Sequence, residues 1–163
     1  LVSPCRAIGR KVALERLLEE GMARAIGVSN YTIKHLEETI GRSYVVPAVD
    51  QVEFSPFLYQ KELLSYCRNK GVVLEAHSPL TRGSRLKDPR LLELAKKYGL
   101  SPAQMMIRWV LQKGMVVIPK SVHRERLVEN AGALDFTISL VDEAVMDSFN
   151  EGLHTTWNPE EIP

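Results

Sequence analysis

A chain of 163 residues, 45% of them apolar, is long enough for one ordinary hydrophobic core and too short for two comfortable domains, so a single domain over 1–163 is expected. A formal net charge of +1 with 25% charged residues supplies no global field for nucleic acid or an anionic membrane, and no apolar run approaches the ~20 residues of a membrane span. Cys5 and Cys67, far apart and outside any Cys-x-x-Cys or Cys/His spacing, argue against a disulfide framework or a zinc site and for a reducing, cytoplasmic setting.

The chain opens with Leu1 and no signal peptide, as expected of a fragment or a processed product. A first helix is expected over Lys11 to Glu20, with Val12, Leu14, Leu17 and Leu18 on one face. Three later stretches then repeat a pattern of stop, strand and serine: 21–29, 71–78 and 114–121, each opening on a glycine. The glycine suits the left-handed residue that ends a helix. The apolar run suits a strand covered on both faces, and the serine suits the cap of the next helix. A fourth strand, Ala48 to Phe54, lies between the first two and follows Pro47 instead of a glycine.

Between the strands the apolar period becomes helical. Ile33, Leu36 and Ile40 recur in 31–40, and Leu63, Leu64 and Cys67 in 60–69. The next connection is double: a helix over 89–98, then one opened by Ser101-Pro-Ala-Gln104, a capping box with Pro at the first helical position, expected to end near Lys113. A last helix is capped by Ser139 and runs to about Asn150, leaving 151–163 as a C-terminal loop. Strands and helices alternating at this spacing imply a parallel sheet with right-handed crossovers. Four such units make half of an eight-unit barrel. A small doubly wound sheet is the other candidate, but neither G-x-G-x-x-G nor G-x-x-x-x-G-K-[ST] occurs. Alternation puts Val49, Gln51 and Glu53 on one face, and two polar groups there suit a barrel mouth better than a continuous core.

Ligands of parallel α/β folds gather at the carboxyl ends of strands, where this chain carries Ser29-Asn30, Gln51 with Glu53, His77-Ser78 and Lys120-Ser121. Singly, each also reads as a cap, a satisfied core amide or a turn residue. After Pro119 a helix expected from near Ser121 would gather Lys120, His123, Arg124 and Arg126 where its free N–H groups point outward, a place for phosphate. A solvated basic helix face is the alternative. His35, His123 and His154 form no ligand spacing, and no metal is assigned.

Ala25-Ile-Gly-Val-Ser-Asn30, Gln51-Val-Glu53, His77-Ser-Pro-Leu80, Val117-Ile-Pro-Lys-Ser121, Arg126 and Glu129-Asn130 resemble, in register from about 10 to about 150, the second half of an aldo-keto reductase. The resemblance implies the last four units of a (β/α)8 TIM-type barrel that reduces aldehydes or ketones with NADPH. By that resemblance Ser29, Asn30 and Gln51 hold the nicotinamide carboxamide, and Ser78 and Leu80 line the pyrophosphate. Lys120, Ser121 and Arg126 take the adenosine 2′-phosphate, Glu129 with Asn130 takes the adenine, and Val122 is counted with them as cofactor-binding. His77 stands where the family often has a Tyr that stacks on the nicotinamide, which leaves stacking open. Phe54-Ser-Pro-Phe57 departs from the family's aromatic-His-Pro, so substrate contacts are not carried over. The family's catalytic Asp, Tyr, Lys and His precede the segment matching Ala25 to Asn30, and none of Tyr31, Tyr44, Tyr59, Tyr66 or Tyr98 stands in the matching context. The chain is therefore expected to bind cofactor and carry no catalytic residue, with the missing N-terminal half or a second copy as partner and no nucleic acid or membrane. A non-catalytic NADPH-binding sensor or structural module of the same fold is the alternative, and an unrelated half-barrel for phosphorylated metabolites a third.

Overall fold

The computed structural model describes residues 7–161, with side chains from Ala13 to Glu160. Its elements are α1 (Ala7–Glu19), β1 (Gly27–Ser29), α2 (Ile33–Gly41), β2 (Val49–Glu53), α3 (Lys61–Lys70), β3 (Val73–His77), α4 (Pro89–Tyr98), α5 (Pro102–Gln112), β4 (Val116–Val117), α6 (Arg124–Ala131) and α7 (Leu140–Asp147). The strands lie in chain order, β1-β2-β3-β4, and β1 pairs parallel to β2 with Gly27, Val28 and Ser29 opposite Val49, Asp50 and Gln51. Helices on every connection are what a parallel sheet requires, because each crossover must return the chain to the sheet's starting edge. By compactness the described residues fall into two units, one drawn from 7–52, 60–75 and 156–161, the other from Glu53–Tyr59 and Ala76–Thr155.

In the first unit α2 and α3 bury one stripe each: Leu36 with His35 and Thr39, and Leu63, Leu64 and Cys67. Thr32 caps α2, accepting from the His35 N–H at 3.4 Å while the His35 ring accepts from the Thr32 N–H at 3.2 Å, a capping box with histidine at its third position. Leu14 and Leu18 of α1, one turn apart, are half-buried and Leu17 is exposed; Cys5 and the Val12 side chain lie outside the described residues.

In the second unit α5 is the hub. Met105, Met106, Ile107, Trp109 and Val110 are all buried, and Trp109 stacks on Phe54 at 5.6 Å while its indole N–H donates to Asp147 at 2.8 Å. Lys113 at the end of α5 pairs with Glu143 and Asp147 of α7, each at 2.7 Å, and lies over the rings of Tyr59 and Trp109. The Ser101 box holds as expected: Ser101 accepts from the Gln104 N–H at 3.2 Å and Gln104 from the Ser101 N–H at 3.0 Å. Gly21, Gly71 and Gly114 all adopt the expected left-handed backbone, at φ of 70, 72 and 69°.

Three expectations are corrected. The strands are shorter, β4 most of all: the Ile118 N–H still reaches the Ala76 carbonyl at 3.1 Å, but Pro119 has no N–H with which to continue. None of the three serines caps a helix. Ser29 spends its hydroxyl on the Gln51 carbonyl at 3.0 Å, no helix starts at Ser78, and Ser121 accepts from the His123 N–H at 3.2 Å in a local turn. That turn competes with helix formation, so α6 begins at Arg124, past Ser121. Finally, α7 stops at Asp147 and not near Asn150, and the C-terminal loop contains a 3-10 turn at Pro159–Glu161.

Candidate functional site

In the first unit Ser29, Asn30 and Gln51 meet at the carboxyl ends of β1 and β2. The Asn30 N–H donates to the Gln51 carbonyl at 2.8 Å, and the Asn30 side-chain amide donates to the Ser29 hydroxyl at 3.3 Å. Asn30 itself sits at φ 57°, a left-handed conformation that asparagine tolerates better than most residues and that turns the chain sharply out of the strand. The Gln51 amide nitrogen donates to the Glu75 carboxylate on β3. That bond fixes the amide's orientation and leaves its oxygen as an acceptor at the strand end. Glu75 went unassigned in the sequence, although an acidic residue inside Val72–Ala76 was the available signal. Behind the turn, Asp50 is fully buried, accepts from the Tyr31 N–H at 3.3 Å, and has its carboxyl pushed up to about 7 by burial.

In the second unit a cleft of about 800 Å³ is lined by Ser78, Leu80, Lys120, Ser121, Val122, Arg126, Glu129 and Asn130, the eight assigned residues that follow His77. His77 is not in the lining. It is half-buried at the end of β3 with its Nδ1 3.2 Å from the Ser78 hydroxyl, and burial lowers its basicity against the raising influence of Glu53. Lys120 and Arg126 are exposed and in no ion pair among the described residues, while Asn130 is buried and its amide makes no hydrogen bond to them. Arg82 also lines the cleft and was missed; its neighbour Gly83, a turn residue next to an arginine just past Ser78-Pro79-Leu80, was the sign.

Ser78, Thr81, Arg82 and Gly83 all lie at positive φ, 51, 49, 53 and 87°. Local bonds hold the bend: the Thr81 hydroxyl donates to the Leu80 carbonyl at 2.8 Å and accepts from the Arg85 N–H at 3.2 Å. At α6 the capping position is His123, whose side chain caps nothing, so first-turn N–H donors stay available beside Arg126. Two cations with no ion pair among the described residues, hydroxyls, uncapped N–H groups and the Asn130 amide in a cleft of this volume form a donor set that suits a phosphate-bearing ligand with a polar ring.

The sequence matches the Aldo/keto reductase family over residues 11–151. It is 45% identical over 150 residues to the glyoxal reductase of Bacillus subtilis (strain 168), covering 92% of this chain and 54% of that protein. The fold superposes with a TM-score of 0.89 on the crystal structure of MGS-M4, an aldo-keto reductase enzyme from a Medee basin deep-sea metagenome library, at 34% identity, covering 94% of this chain and 58% of that one. A further crystal structure, of an aldo-keto reductase complexed with NADPH, matches at a TM-score of 0.81 and 34% identity over 88% of this chain and 47% of its own. The chain spans about half the length of these relatives. Among the described residues no helix is long and apolar enough to cross a membrane, and no group of three or more His, Cys, Asp or Glu could hold a metal ion. With the family's model matched over most of the sequence and the barrel's strand-and-helix alternation in place, this chain belongs to the aldo/keto reductase family.

Proposed function

We propose that the chain is the NADPH-binding half of a cytoplasmic reductase of aldehydes or ketones, a single domain forming the last four units of a (β/α)8 barrel. The observation that carries this reading is the cleft of the second unit, where Lys120 and Arg126 stand without ion-pair partners among the described residues beside Ser121 and the unpartnered Asn130 amide. When bound, NADPH supplies the reducing equivalents. The residues of this chain hold and orient it. A dianionic 2′-phosphate needs fixed cations, which Lys120 and Arg126 provide, with Ser121 and Val122 beside them. Glu129 and Asn130 offer an acceptor and an amide to the adenine, and Ser78 and Leu80 the wall for the pyrophosphate. Ser29, Asn30 and the free oxygen of Gln51 take the carboxamide, which chooses the ring face presented to substrate. Burial favours the neutral form of His77, the form in which its ring stacks without adding a charge.

The proton donor would come from a preceding half-barrel carrying the family's Tyr and Lys, and this chain holds no catalytic residue. The relative named for glyoxal, and the solved relative complexed with NADPH, support a small carbonyl substrate and this cofactor. Titration of NADPH and NADH into the Lys120→Ala and Arg126→Ala variants tests the assignment. Each should weaken NADPH binding by about 1–3 kcal/mol and leave NADH almost unchanged, if charge-assisted bonds carry the preference. Equal losses for the two cofactors would remove the 2′-phosphate role from this cleft.

A further inference from the structure

In the first unit a row of polar side chains crosses three neighbouring strands. Ser29 on β1 stands opposite Gln51 on β2, and the Gln51 amide nitrogen donates to the Glu75 carboxylate on β3. Alternation in β3 buries Leu74 and Ala76 and leaves Glu75 half-buried on the other face, just as buried Asp50 and Val52 flank a half-buried Gln51 in β2. Among the described residues Glu75 is in no ion pair, so an acidic group stands in the face of the sheet with a neutral amide as its side-chain partner. Pairing two strands needs no charge there. A hydroxyl or a second amide would also bond Gln51, but each both donates and accepts, and would take the Gln51 amide in either orientation. A carboxylate only accepts. It admits one orientation, with the Gln51 nitrogen toward β3 and its oxygen turned away.

We propose that Glu75 is a positioning residue that selects the cofactor by its ring substituent: it holds the Gln51 amide as an acceptor for a carboxamide N–H, and so turns away the nicotinic acid form, which has a carboxylate in that place. The inference rests on the reading of Ser29, Asn30 and Gln51 as the partners of the carboxamide. Two effects act in the same sense. The Gln51 oxygen accepts from a carboxamide but has nothing to offer an ionised acid, which has no donor. The negative charge of Glu75, one hydrogen bond away, repels a second carboxylate at a site partly withdrawn from water. An amide facing the other way would donate to the acid and reverse the preference.

The test measures dissociation constants of NADP+ and of its nicotinic acid analogue by titration into the full-length protein. The parent should bind NADP+ about a hundredfold more tightly, as a site does whose buried polar group finds no partner on the wrong ligand. Glu75→Gln keeps the side chain's size, removes the charge and lets the Gln51 amide turn. NADP+ should then bind more weakly and the acid more tightly, so that the preference falls about tenfold or more. A purely structural role would move both ligands the same way. In a Gln51→Leu background the same change at Glu75 should alter the preference much less, because Glu75 acts through Gln51; an equally large change there overturns the positioning role. Glu75→Leu, which also leaves the Gln51 amide free to turn, should lower the preference in the same direction, and it decides the matter where Glu75→Gln does not fold. Equal binding of the two ligands by the parent, or a preference unchanged in the variants, overturns the inference and leaves the cofactor reading standing. A parent that binds neither ligand overturns the cofactor reading and this selection together.

Discussion

Asp50 has no exposed surface and, among the described residues, a single hydrogen bond from the Tyr31 N–H and a second carboxyl oxygen without a partner. Burial raises its pKa from 3.8 to about 7, with the Tyr31 N–H pulling weakly the other way. The folded state therefore keeps a proton that the unfolded chain releases above about pH 4. Stability from this group is complete below pH 3.8 and is lost as pH rises through about 7. The slope reaches about 1.4 kcal/mol per pH unit between those values. Asp50→Asn keeps the acceptor and removes the charge, so urea melts between pH 4.5 and 7.5, about the span of the shift, should lose most of this slope. A slope identical to that of the parent would mean the carboxyl is hydrated. At this scale the sequence told half of what mattered. Alternation in 48–54 picked out Gln51 and Glu53 because two polar groups on one strand face are unusual. The same alternation turned Asp50 toward the opposite face, and a strand's own residues carry no mark of the helices that will cover that face.

Two helix starts were legible, because caps are local chemistry: Ser101 with Gln104, and Ser139 with the Asp142 N–H at 3.2 Å, both read directly from spacing. Ser101→Ala should cost about 1 kcal/mol, read as a lower melting temperature, since α5 presents five buried side chains to its unit and its first turn loses an N–H partner. A melting temperature equal to the parent's would show that the box is idle. Strand lengths and the start of α6 were less legible. Both depend on where backbone groups find partners: Pro119 stops β4 for want of an N–H, and Ser121 closes a turn that delays the helix to Arg124. The basic cluster was found, yet its placement changed. Lys120 lies in the turn before α6 and Arg126 in its first turn, so one site draws on a loop and a helix.

At the scale of the whole molecule, β1 and β4 are the outer strands of the order β1-β2-β3-β4, and Val116 and Ile118 at β4 are 45% and 41% exposed. Unpaired parallel edges with apolar flanks seek partners. On the proposed reading these edges belong against a preceding half-barrel, so the isolated chain should self-associate in sedimentation velocity and show no steady-state reduction of aldehydes. Monomeric material that turns over NADPH would refute the half-barrel. The number of strand-and-helix units was readable from spacing alone, whereas barrel closure was not, because it depends on strands pairing with others beyond these four. The run from Ser78 to Gly83, finally, bears on the order in which the molecule assembles. Four of its six residues hold left-handed backbone, three of them with side chains, each costing on the order of 1 kcal/mol. Local turn bonds hold the shape once it is made, against the cost of each left-handed residue. The bend is expected to wait for Arg85 to reach Glu151, so this wall of the cleft should be among the last parts of the chain to fold.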